Sequence, residues 1–365
     1  MKFAVAMSGG VDSAVAAGRL VADGHDVVGL TMNLWPDWLP EPDDAFKACC
    51  GVSAIDDARS VARRLGIRHY VLNMREEFEH EVIGYFADEY ARGRTPNPCI
   101  ACNQSIKFSL LLRKVRTLGL DALATGHYAR VSPDPATGRI GLWRARDRHK
   151  DQSYVLYGLT QDQLGALALP VGDFEKEQTR ALARGMDLPV ADKPDSQEIC
   201  FVPRGSYADV VARLRPEALR PGPIVDTEGR VVGDHQGIAR FTIGQRRGLG
   251  VASGAPQYVV AIDPDRNAVI VGVADDLLCT ELTAAGLNWI AVEPPAEPLP
   301  ATARLRHASR DVDATVIPAP GRDEVTVRFA APQRAAAPGQ AIVFYDGDRV
   351  LGGGTIAALR MRVRA

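Results

Sequence analysis

Near the start of the chain, two glycines interrupt an apolar run and are followed by an aspartate flanked by hydroxyl side chains. The apolar run covers residues 3–7, and apolar residues recur at helical spacing over 11–21. A strand that turns into a helix in this way directs free backbone N–H groups and the positive end of the helix dipole at one small volume. Glycine lets the backbone approach an anion there, and a carboxylate suits an accompanying Mg²⁺. We therefore predict that a nucleotide with its metal is bound by Ala6, Met7, Ser8, Gly9, Gly10, Val11, Asp12 and Ser13.

Other phosphate-binding loops differ from this stretch. A G-x-x-x-x-G-K-[ST] loop requires a lysine near its end, and the G-x-G-x-x-G fingerprint is not matched over residues 8–13. What remains resembles the pyrophosphate loop, S-G-G-x-D-S, of ATP pyrophosphatases. That resemblance implies that ATP is cleaved between its α and β phosphates and that a carbonyl-type oxygen is adenylated. An ordinary glycine-containing turn is the competing interpretation, which the six matched positions disfavour.

The cysteines form the second set of residues that could do chemistry. Cys99 and Cys102 form a C-x-x-C pair next to two prolines, which we expect to fix an extended loop and which suits redox or metal chemistry. A four-cysteine zinc site would need a second pair, and only the adjacent Cys49 and Cys50 or distant single cysteines could supply it. Cys200 follows a polar, turn-forming run, which predicts a thiol at an edge rather than in a core.

The elements that must position these residues alternate between strand and helix, which predicts an α/β fold. The pattern predicts a doubly wound, Rossmann-like parallel sheet in the N-terminal part of the chain. The resemblance of the loop to that of ATP pyrophosphatases implies that this sheet is of the adenine nucleotide alpha hydrolase type. Ligands of such sheets bind beyond the carboxyl ends of the strands, where Met32 and Gly126 also fall, so we predict that these two line an adenine pocket. Strands are expected over 3–7, 27–34, 69–74 and 123–129, and helices over 11–21, 53–66, 78–90 and 106–118.

The composition changes after about residue 201. A turn-rich joint, short strands, a basic glycine loop and a hairpin predict a small mixed middle domain. Short alternating strands then predict a C-terminal β-barrel. We expect a pyrophosphate-loop ATP-binding catalytic domain over 1–205, a small central domain over 206–274 and the barrel over 275–365.

Charge and hydropathy limit the partners of this 365-residue chain. The formal net charge is −2, so any nucleic-acid partner has to be argued from local charge, and basic residues cluster over 144–150, 240–247 and 304–310. No apolar run is long enough to span a membrane, and the run at 3–7 is not a signal-peptide core. We therefore expect a cytoplasmic chain without a membrane partner, in which cysteines serve chemistry rather than a disulfide framework.

Seven motifs occur together in one order and carry a resemblance to a family. The chain is similar to the bacterial tRNA-specific 2-thiouridylases from about residue 3 to residue 354. The motifs are the loop at 8–13, TPNPCIACN at 95–103, ATGHY at 124–128, KDQSY at 150–154, DSQEICF at 195–201, TIGQRRGLG at 242–250 and PGQ at 338–340.

The resemblance implies a sulfurtransferase that replaces O2 of the wobble uridine of tRNA, with Lys, Glu and Gln tRNAs as expected substrates. Uracil O2 leaves only after adenylation, which the pyrophosphate loop would perform with ATP and Mg²⁺. In the family pattern Cys200 carries a persulfide, and Cys102 releases the sulfur or resolves the pair as a disulfide. The accessible position predicted for Cys200 suits a persulfide. The persulfide donor would be a cysteine desulfurase or a sulfur-relay protein, and we expect a monomer.

Cys99 departs from part of the family. Some members carry Asp at this position, where it is a candidate general base or metal ligand, so the base is unassigned in this chain. An alternative is therefore a [4Fe-4S] cluster held by Cys99, Cys102 and Cys200 with one open iron. Cys279 is predicted to be a buried apolar residue.

The resemblance also implies contacts with tRNA. Reaching the wobble base would require it to be flipped from its stack, at an energy supplied by backbone contacts. Many family members have a tyrosine where His307 stands in this chain. The carried-over contacts are Asn97, Pro98 and Cys99 on the base side, and His127, Lys150, Asp151, Gln152, Arg306, His307 and Gln340 elsewhere.

Two further hypotheses remain open from sequence. A pyrophosphate-loop ligase or amidotransferase acting on a small metabolite explains the loop but leaves Cys102, Cys200 and the barrel without a task. A non-catalytic tRNA-binding protein that retains a nucleotide fold is disfavoured by the complete loop and both cysteines. ATP turnover that depends on tRNA would separate the thiouridylase from both.

Overall fold

A computed structural model describes residues 1–39, 52–135, 137–195, 199–202, 206–251 and 254–361. Cys49 and Cys50, the adjacent pair considered for a zinc site, lie outside the described residues. The chain divides into two compact units. The first comprises residues 1–83, 99–204 and 348–350, and the second comprises 84–98, 205–347 and 351–365.

Strands make up most of the second half of the chain and alternate with helices in the first half. Within the described ranges they are β1 (Lys2–Ala6), β2 (Asp26–Asn33), β3 (Arg68–Asn73), β4 (Ala122–Ala124), β5 (Ala129–Pro133), β6 (Ile140–Arg144), β7 (Leu167–Ala168), β8 (Gly222–Asp226), β9 (Val231–His235), β10 (Tyr258–Asp263), β11 (Ala268–Gly272), β12 (Leu278–Trp289), β13 (Leu299–Arg304), β14 (Val312–Pro318), β15 (Glu324–Arg334), β16 (Ala341–Asp346) and β17 (Arg349–Met361).

The helices are concentrated in the first unit. They are α1 (Val11–Ala22), α2 (Val52–Leu65), α3 (Arg75–Phe78), α4 (Tyr85–Ala91), α5 (Pro98–Ala101), α6 (Leu112–Thr117), α7 (Ser153–Leu156), α8 (Gln161–Gly165), α9 (Lys176–Gly185) and α10 (Tyr207–Leu214). Residues Glu79–Gly84 and Cys102–Leu111 have π-helical hydrogen bonding, and short 3₁₀ turns cover Pro216–Leu219, Ile238–Arg240 and Ala274–Leu277.

The first unit is built on a parallel sheet of order β3-β2-β1-β4-β7. Its central strand β1 is apolar and buried, as expected of a strand covered on both faces. Helix α1 packs closely because its inner positions are small, including Ala14, Ala16 and Ala17. The α/β prediction with a Rossmann-like parallel sheet is confirmed, and the carboxyl end of β1 leads into the predicted phosphate loop.

The second unit contains the two smaller structures predicted for the rest of the chain. A four-stranded sheet of order β10-β11-β8-β9 encloses Ile224, Val259 and Val269. The strands β12-β15-β14-β13-β16-β17 follow one another, and β17 pairs back with β12 to close a barrel around Val316, Val327 and Phe344. The predicted mixed middle part and C-terminal β-barrel are therefore confirmed.

Two local expectations need correction. The prolines before Cys99 were expected to hold the C-x-x-C pair in an extended loop, but Pro98 is the first residue of a helix that contains Cys99. Proline is well suited to a first helical position, where its missing N–H would have no helical partner. Short strands were expected in the barrel, but β12 is 12 residues long. Its alanines and glycine have low strand propensity, and it is held by pairing with both β15 and β17. Among the described residues, no helix is both long and apolar enough to cross a membrane.

Candidate active site

The predicted phosphate loop lies between β1 and α1, with Ala6 ending the strand and Val11 beginning the helix. Gly9 has a φ of +66°, and a Cβ atom on it would lie 2.3 Å from the backbone oxygen of Ala54. Gly10 is the N-cap and has no side chain with which to cap the first helical N–H groups. These donors therefore remain available to an anion.

Hydroxyl groups tie the two ends of the loop together. The Ser8 N–H donates to Ser13 Oγ over 3.2 Å, and the two Oγ atoms are 3.3 Å apart. Ser13 Oγ also donates to the Gly10 carbonyl over 3.1 Å. The loop is thus closed on itself before any ligand binds, so little ordering is left to the moment of binding.

Gly126 and Met32 occupy the positions expected of residues at strand ends. A Cβ atom on Gly126 would lie 2.5 Å from the backbone nitrogen of Ser13, so only glycine allows β4 to approach the loop this closely. Met32 is buried near the end of β2. Met7 is buried as well, and its N–H donates to the Leu30 carbonyl over 2.8 Å. The adenine pocket stays a prediction.

Asp12 is the anionic residue of the loop, and Lys176 holds it. The Lys176 ammonium lies 2.8 Å from each oxygen of Asp12 and 2.7 Å from Asp195 Oδ1. The Tyr128 hydroxyl donates to Asp12 Oδ1 over 2.9 Å and lies 2.9 Å from Thr179 Oγ1. Burial, together with the charge of Asp12, raises the pKa of Tyr128, which therefore remains a hydrogen-bond donor at neutral pH.

Asp195 begins the motif that contains Cys200 and is surrounded by cations. Lys150 Nζ lies 2.7 Å and Arg180 Nη2 lies 3.3 Å from its carboxylate, in addition to Lys176. Burial opposes the charge of Asp195, but hydrogen bonds from Lys150 and Lys176 hold the pKa of its carboxyl below the usual range. The carboxylate stays ionised at neutral pH and anchors the chain five residues before Cys200.

The sequence analysis missed Lys176, Arg180 and Lys193. Lys193 Nζ donates to the Gly9 carbonyl over 3.0 Å and also pairs with Asp57. One signal was available for Lys176, because it is the first residue of α9. A cation at that end opposes the helix dipole, so its position there calls for a nearby anion.

The three candidate sulfur residues have different environments. Cys99 is exposed, while Cys102 and Cys200 are half-buried. Cys102 begins the π-helical segment, which packs on α3, and the Phe78 ring of α3 lies 6.0 Å from the Phe201 ring. Both Cys102 and Cys200 therefore stand on segments that contact α3. No group of three or more His, Cys, Asp or Glu residues in the described part of the chain is arranged to hold a metal ion.

Four predicted tRNA contacts lie around Tyr128 in the first unit. His127 accepts or donates a hydrogen bond with Thr125 Oγ1 at 2.7 Å, and Gln152 Oε1 accepts from the Tyr128 N–H over 2.9 Å. Lys150 is partly exposed. Asp151 is buried and accepts from two backbone N–H groups and the Ser153 hydroxyl. Its carboxylate therefore shapes the loop that carries its neighbours.

The other predicted tRNA contacts lie mostly in the second unit. Gln340 Nε2 donates to the Thr95 carbonyl over 2.7 Å, and the Thr95 N–H donates to the Pro338 carbonyl over 2.8 Å. These bonds hold the backbone that leads into Asn97, which is half-buried, and Pro98, which is buried. Elsewhere in this unit the exposed Arg306 donates to the carbonyls of residues 334 and 335 and the exposed His307 is adjacent to it.

One basic residue counted as surface charge is internal. Arg144 is buried and lies 3.6 Å from the Asp151 carboxylate. Its neighbours Arg146, Arg148 and His149 are exposed. The basic run at 144–150 therefore presents a smaller positive surface than the sequence suggested.

Comparison with known proteins decides the family. A family model described as the tRNA methyl transferase HUP domain matches residues 1–204, a tRNA methyl transferase PRC-barrel domain matches 208–273, and an aminomethyltransferase beta-barrel domain matches 279–356. Over 97% of its length the chain is 52% identical to the tRNA-specific 2-thiouridylase MnmA of Carboxydothermus hydrogenoformans, of which 97% is covered. This chain belongs to the tRNA-specific 2-thiouridylases. It is 48% identical to the MnmA of Acetivibrio thermocellus over 97% of this chain and 99% of that protein.

Among solved structures, one match is the U34-tRNA thiolase NcsA of Methanococcus maripaludis, with its [4Fe-4S] cluster. It is 18% identical, with a TM-score of 0.33 over 58% of this chain and 65% of that one. As a tRNA-specific 2-thiouridylase, the chain is a tRNA-modifying sulfurtransferase whose N-terminal part matches a HUP domain. Its loop at 8–13 has the pyrophosphate-loop pattern S-G-G-x-D-S, which implies ATP and Mg²⁺. The loop fits an anionic ligand, because the first N–H groups of α1 have no side-chain cap.

Acid is expected to destabilise the thiouridylase through buried histidines. Burial and the charge of Lys107 hold the pKa of His127 well below its usual range, and burial lowers the pKa of His69 and His235. Below about pH 6.5 the unfolded chain binds protons that the folded chain does not. The free energy of unfolding therefore decreases as the pH is lowered, by up to about 1.4 kcal/mol per pH unit for each histidine. Between pH 7 and pH 5.5, the free energy of unfolding measured in urea should fall by about 1 kcal/mol less in His127→Gln than in the wild type.

His80 offers the control for this measurement because its side chain is 87% exposed. His80→Gln should follow the pH dependence of the wild type. An unchanged pH dependence in His127→Gln would show that the buried imidazole does not control the loss.

Proposed function

We propose that this enzyme uses ATP and Mg²⁺ to adenylate O2 of the wobble uridine in Lys, Glu and Gln tRNAs, and that Cys200 then delivers sulfur as a persulfide. The observation that carries the proposal is the chain of contacts from the phosphate loop to the Cys200 segment. Asp12 lies in the loop, Asp195 lies in the Cys200 motif, and Lys176 contacts both carboxylates. A single network therefore links the loop proposed to activate the base to the start of the motif that contains Cys200.

Activation begins at the α-phosphate of ATP. Uridine O2 attacks phosphorus, the bond to the β-phosphate oxygen breaks, and pyrophosphate leaves. The Ser8–Ser13 loop and the start of α1 offer backbone donors to the phosphates, and Mg²⁺ at Asp12 would balance their charge. The resulting adenylate makes O2 part of a good leaving group.

Sulfur transfer follows at C2 of the activated uridine. The terminal sulfur of the Cys200 persulfide attacks C2 and AMP leaves with O2. The Cys102 thiolate then attacks Sγ of Cys200, the S–S bond to the transferred sulfur breaks, and 2-thiouridine is released with a Cys102–Cys200 disulfide. A dithiol reductant supplies two electrons to restore both thiols, and a cysteine desulfurase or sulfur-relay protein reloads Cys200.

The tRNA is proposed to bind through exposed and half-buried residues, several of which are held in place by internal contacts. Lys150, Gln152 and His127 lie near the network described above, and Gln340 secures the backbone before Asn97 and Pro98. Asp151 contributes indirectly, since its carboxylate is buried. Cys99, Arg306 and His307 are exposed contacts in this proposal.

The domain bounds, the oligomeric state and the compartment belong to the same proposal. We assign the catalytic domain to 1–205, the central domain to 206–274 and the barrel to 275–365. The enzyme acts as a monomer, and its compartment is the cytoplasm, where tRNA and cysteine desulfurases meet. A gel-filtration mass near that of one 39.3 kDa chain is the expected result.

Product analysis tests the function directly. Protein purified without oxygen is incubated with ATP, Mg²⁺, a dithiol, unmodified Glu tRNA and a cysteine desulfurase that carries a persulfide. We expect 2-thiouridine, AMP and pyrophosphate in equal amounts, and none of them with a tRNA that has cytidine at the wobble position. AMP formation that does not depend on the tRNA would instead indicate a ligase or amidotransferase acting on a small metabolite.

Iron analysis of the same preparation decides between persulfide and cluster. The persulfide proposal expects full thiolation by protein without bound iron. Iron bound at about four atoms per chain, lost together with activity in Cys99→Ala, would replace the persulfide by a [4Fe-4S] cluster on Cys99, Cys102 and Cys200.

A further inference from the structure

Lys176 makes an unusual set of contacts for a residue outside the phosphate loop. Its ammonium group has three protons, and three carboxylate oxygens of Asp12 and Asp195 lie within 2.8 Å of it. The side chain is only 10% exposed. The contacts use the full donor capacity of a buried lysine to bridge two segments separated by more than 180 residues.

The Lys176 contacts compete with a metal ion for Asp12. Both oxygens of Asp12 receive Lys176 and one also receives Tyr128, which uses about three of the four lone-pair sites of the carboxylate. An ammonium group and Mg²⁺ on the same carboxylate would also repel each other at this distance. Binding of the metal at Asp12 therefore favours movement of Lys176 away from Asp12.

Phosphate oxygens offer the displaced ammonium group a better partner. The loop lacks the lysine that G-x-x-x-x-G-K-[ST] loops carry within their own sequence, and Lys176 lies beside Asp12 at the start of α1. The cluster contains three cations, Lys150, Lys176 and Arg180, against the two carboxylates. The spare positive charge is suited to an anionic ligand.

Asp195 connects this exchange to the sulfur residue. Arg180 donates to the carbonyls of Ala191 and Lys193 as well as to Asp195, so the backbone leading to the Cys200 motif is fixed by the same group of side chains. A shift of the Lys176 ammonium, which is paired with Asp195, would also shift the position of that carboxylate. Asp195 lies five positions before Cys200 in the sequence.

We propose that Lys176 is the phosphate-binding lysine of this site and that it couples nucleotide occupancy to Cys200. When Mg·ATP binds, its ammonium group exchanges Asp12 for phosphate oxygens and keeps Asp195, so Asp195 moves with it. This inference rests on the proposed nucleotide site and on the proposed role of Cys200. It assigns to Lys176 a direct ligand contact and to Asp195 a positioning role.

Nucleotide binding tests the proposed contact between Lys176 and phosphate. Titration calorimetry with Mg²⁺ and α,β-methylene ATP, which resists cleavage at the reacting bond, should show binding weakened about 10- to 100-fold in Lys176→Met. Lys176→Arg, which keeps the charge, should recover part of the loss. Arg184→Met is the matched control, because Arg184 lies two turns along the same helix, is 55% exposed and pairs only locally with Asp192 in the described contacts.

Thiol reactivity tests the proposed coupling between nucleotide binding and Cys200. The rate of iodoacetamide alkylation is measured for each cysteine by peptide mass spectrometry, with and without Mg²⁺ and α,β-methylene ATP. In the wild type the Cys200 rate should change about threefold or more, since exposure and charge set thiol reactivity. Asp195→Asn should abolish this change when it is measured at a nucleotide concentration that saturates the site of this variant in its own calorimetric titration. The buried Cys279 reports unfolding, because it reacts fast only in an unfolded chain.

The outcomes separate the inference from the function on which it rests. Wild-type affinity in Lys176→Met, or a Cys200 response that survives in Asp195→Asn, would overturn the inference even if the enzyme makes 2-thiouridine. Should Lys176→Met prove unfolded by its Cys279 rate, the response of Asp195→Asn decides alone. Failure of the wild type to bind the nucleotide would instead contradict the proposed function.

Discussion

Replacing Cys200 by serine is expected to reduce 2-thiouridine formation at least about a thousandfold, as removal of a covalent nucleophile does in other enzymes. The hydroxyl group is close in size to the thiol but cannot carry a transferable sulfur atom. Adenylation does not need the persulfide, so ATP binding and tRNA binding should stay within about threefold of the wild type. Thionucleoside analysis of digested tRNA measures the first effect, and titration with each ligand measures the second.

Cys279 supplies the matched cysteine control. It is buried in the barrel core, and burial raises the pKa of its thiol to about 11, so it is protonated and inert at neutral pH. Cys279→Ala should therefore keep full thiolation, at a stability cost of about 1 kcal/mol for the lost packing. Full thiolation by Cys200→Ser would show that Cys99 and Cys102 perform the whole of the sulfur chemistry.

The phosphate loop was predictable because its information is local. The six residues 8–13 carry the glycines, hydroxyls and carboxylate that the turn requires, and the flanking strand and helix show their own periodicity. The residues that complete the site were not predictable in this way. Tyr128 and Lys176 reach Asp12 across 116 and 164 positions of sequence, and only the packed sheet brings them together.

Burial explains why some predicted contacts acquired a different role. Asp151 and Arg144 are charged residues in a polar stretch, which is typical of a solvated surface. In the structure they face each other at 3.6 Å beneath the loop they support. Gln340 likewise donates to the Thr95 carbonyl. Residue type alone does not distinguish a side chain that contacts a ligand from one that positions its neighbour.

The start of the helix at Pro98 and the length of strand β12 differ from the sequence predictions, because both depend on their surroundings in the fold. Pro98 was taken as part of an extended loop, although proline is equally suited to begin a helix. Strand β12 lacks the β-branched pattern of its neighbours and is specified by pairing with β15 and β17, which lie far along the chain. Closure of the barrel therefore depends on contacts that no local pattern predicts.

Replacing Gly9 by alanine is expected to weaken Mg·ATP binding at least about a hundredfold, because two separate costs fall on the same loop. A positive φ of +66° costs an alanine about 1–2 kcal/mol. In addition, the new Cβ atom would lie 2.3 Å from the backbone oxygen of Ala54, so either the loop or the start of α2 has to move. Calorimetric titration with Mg²⁺ and α,β-methylene ATP measures the loss, and melting temperature measures stability.

Gly66 separates the two costs, since it follows α2 with a φ of +69° and a Cβ atom there would meet no atom within 4 Å. Gly66→Ala carries the backbone strain alone, so it should lose about 1–2 kcal/mol of stability and bind the nucleotide like the wild type. A greater loss of affinity in Gly9→Ala than in Gly66→Ala then measures how far the phosphate site depends on the close approach of loop and helix. Equal affinities in the two variants would mean that the nucleotide does not bind at this loop.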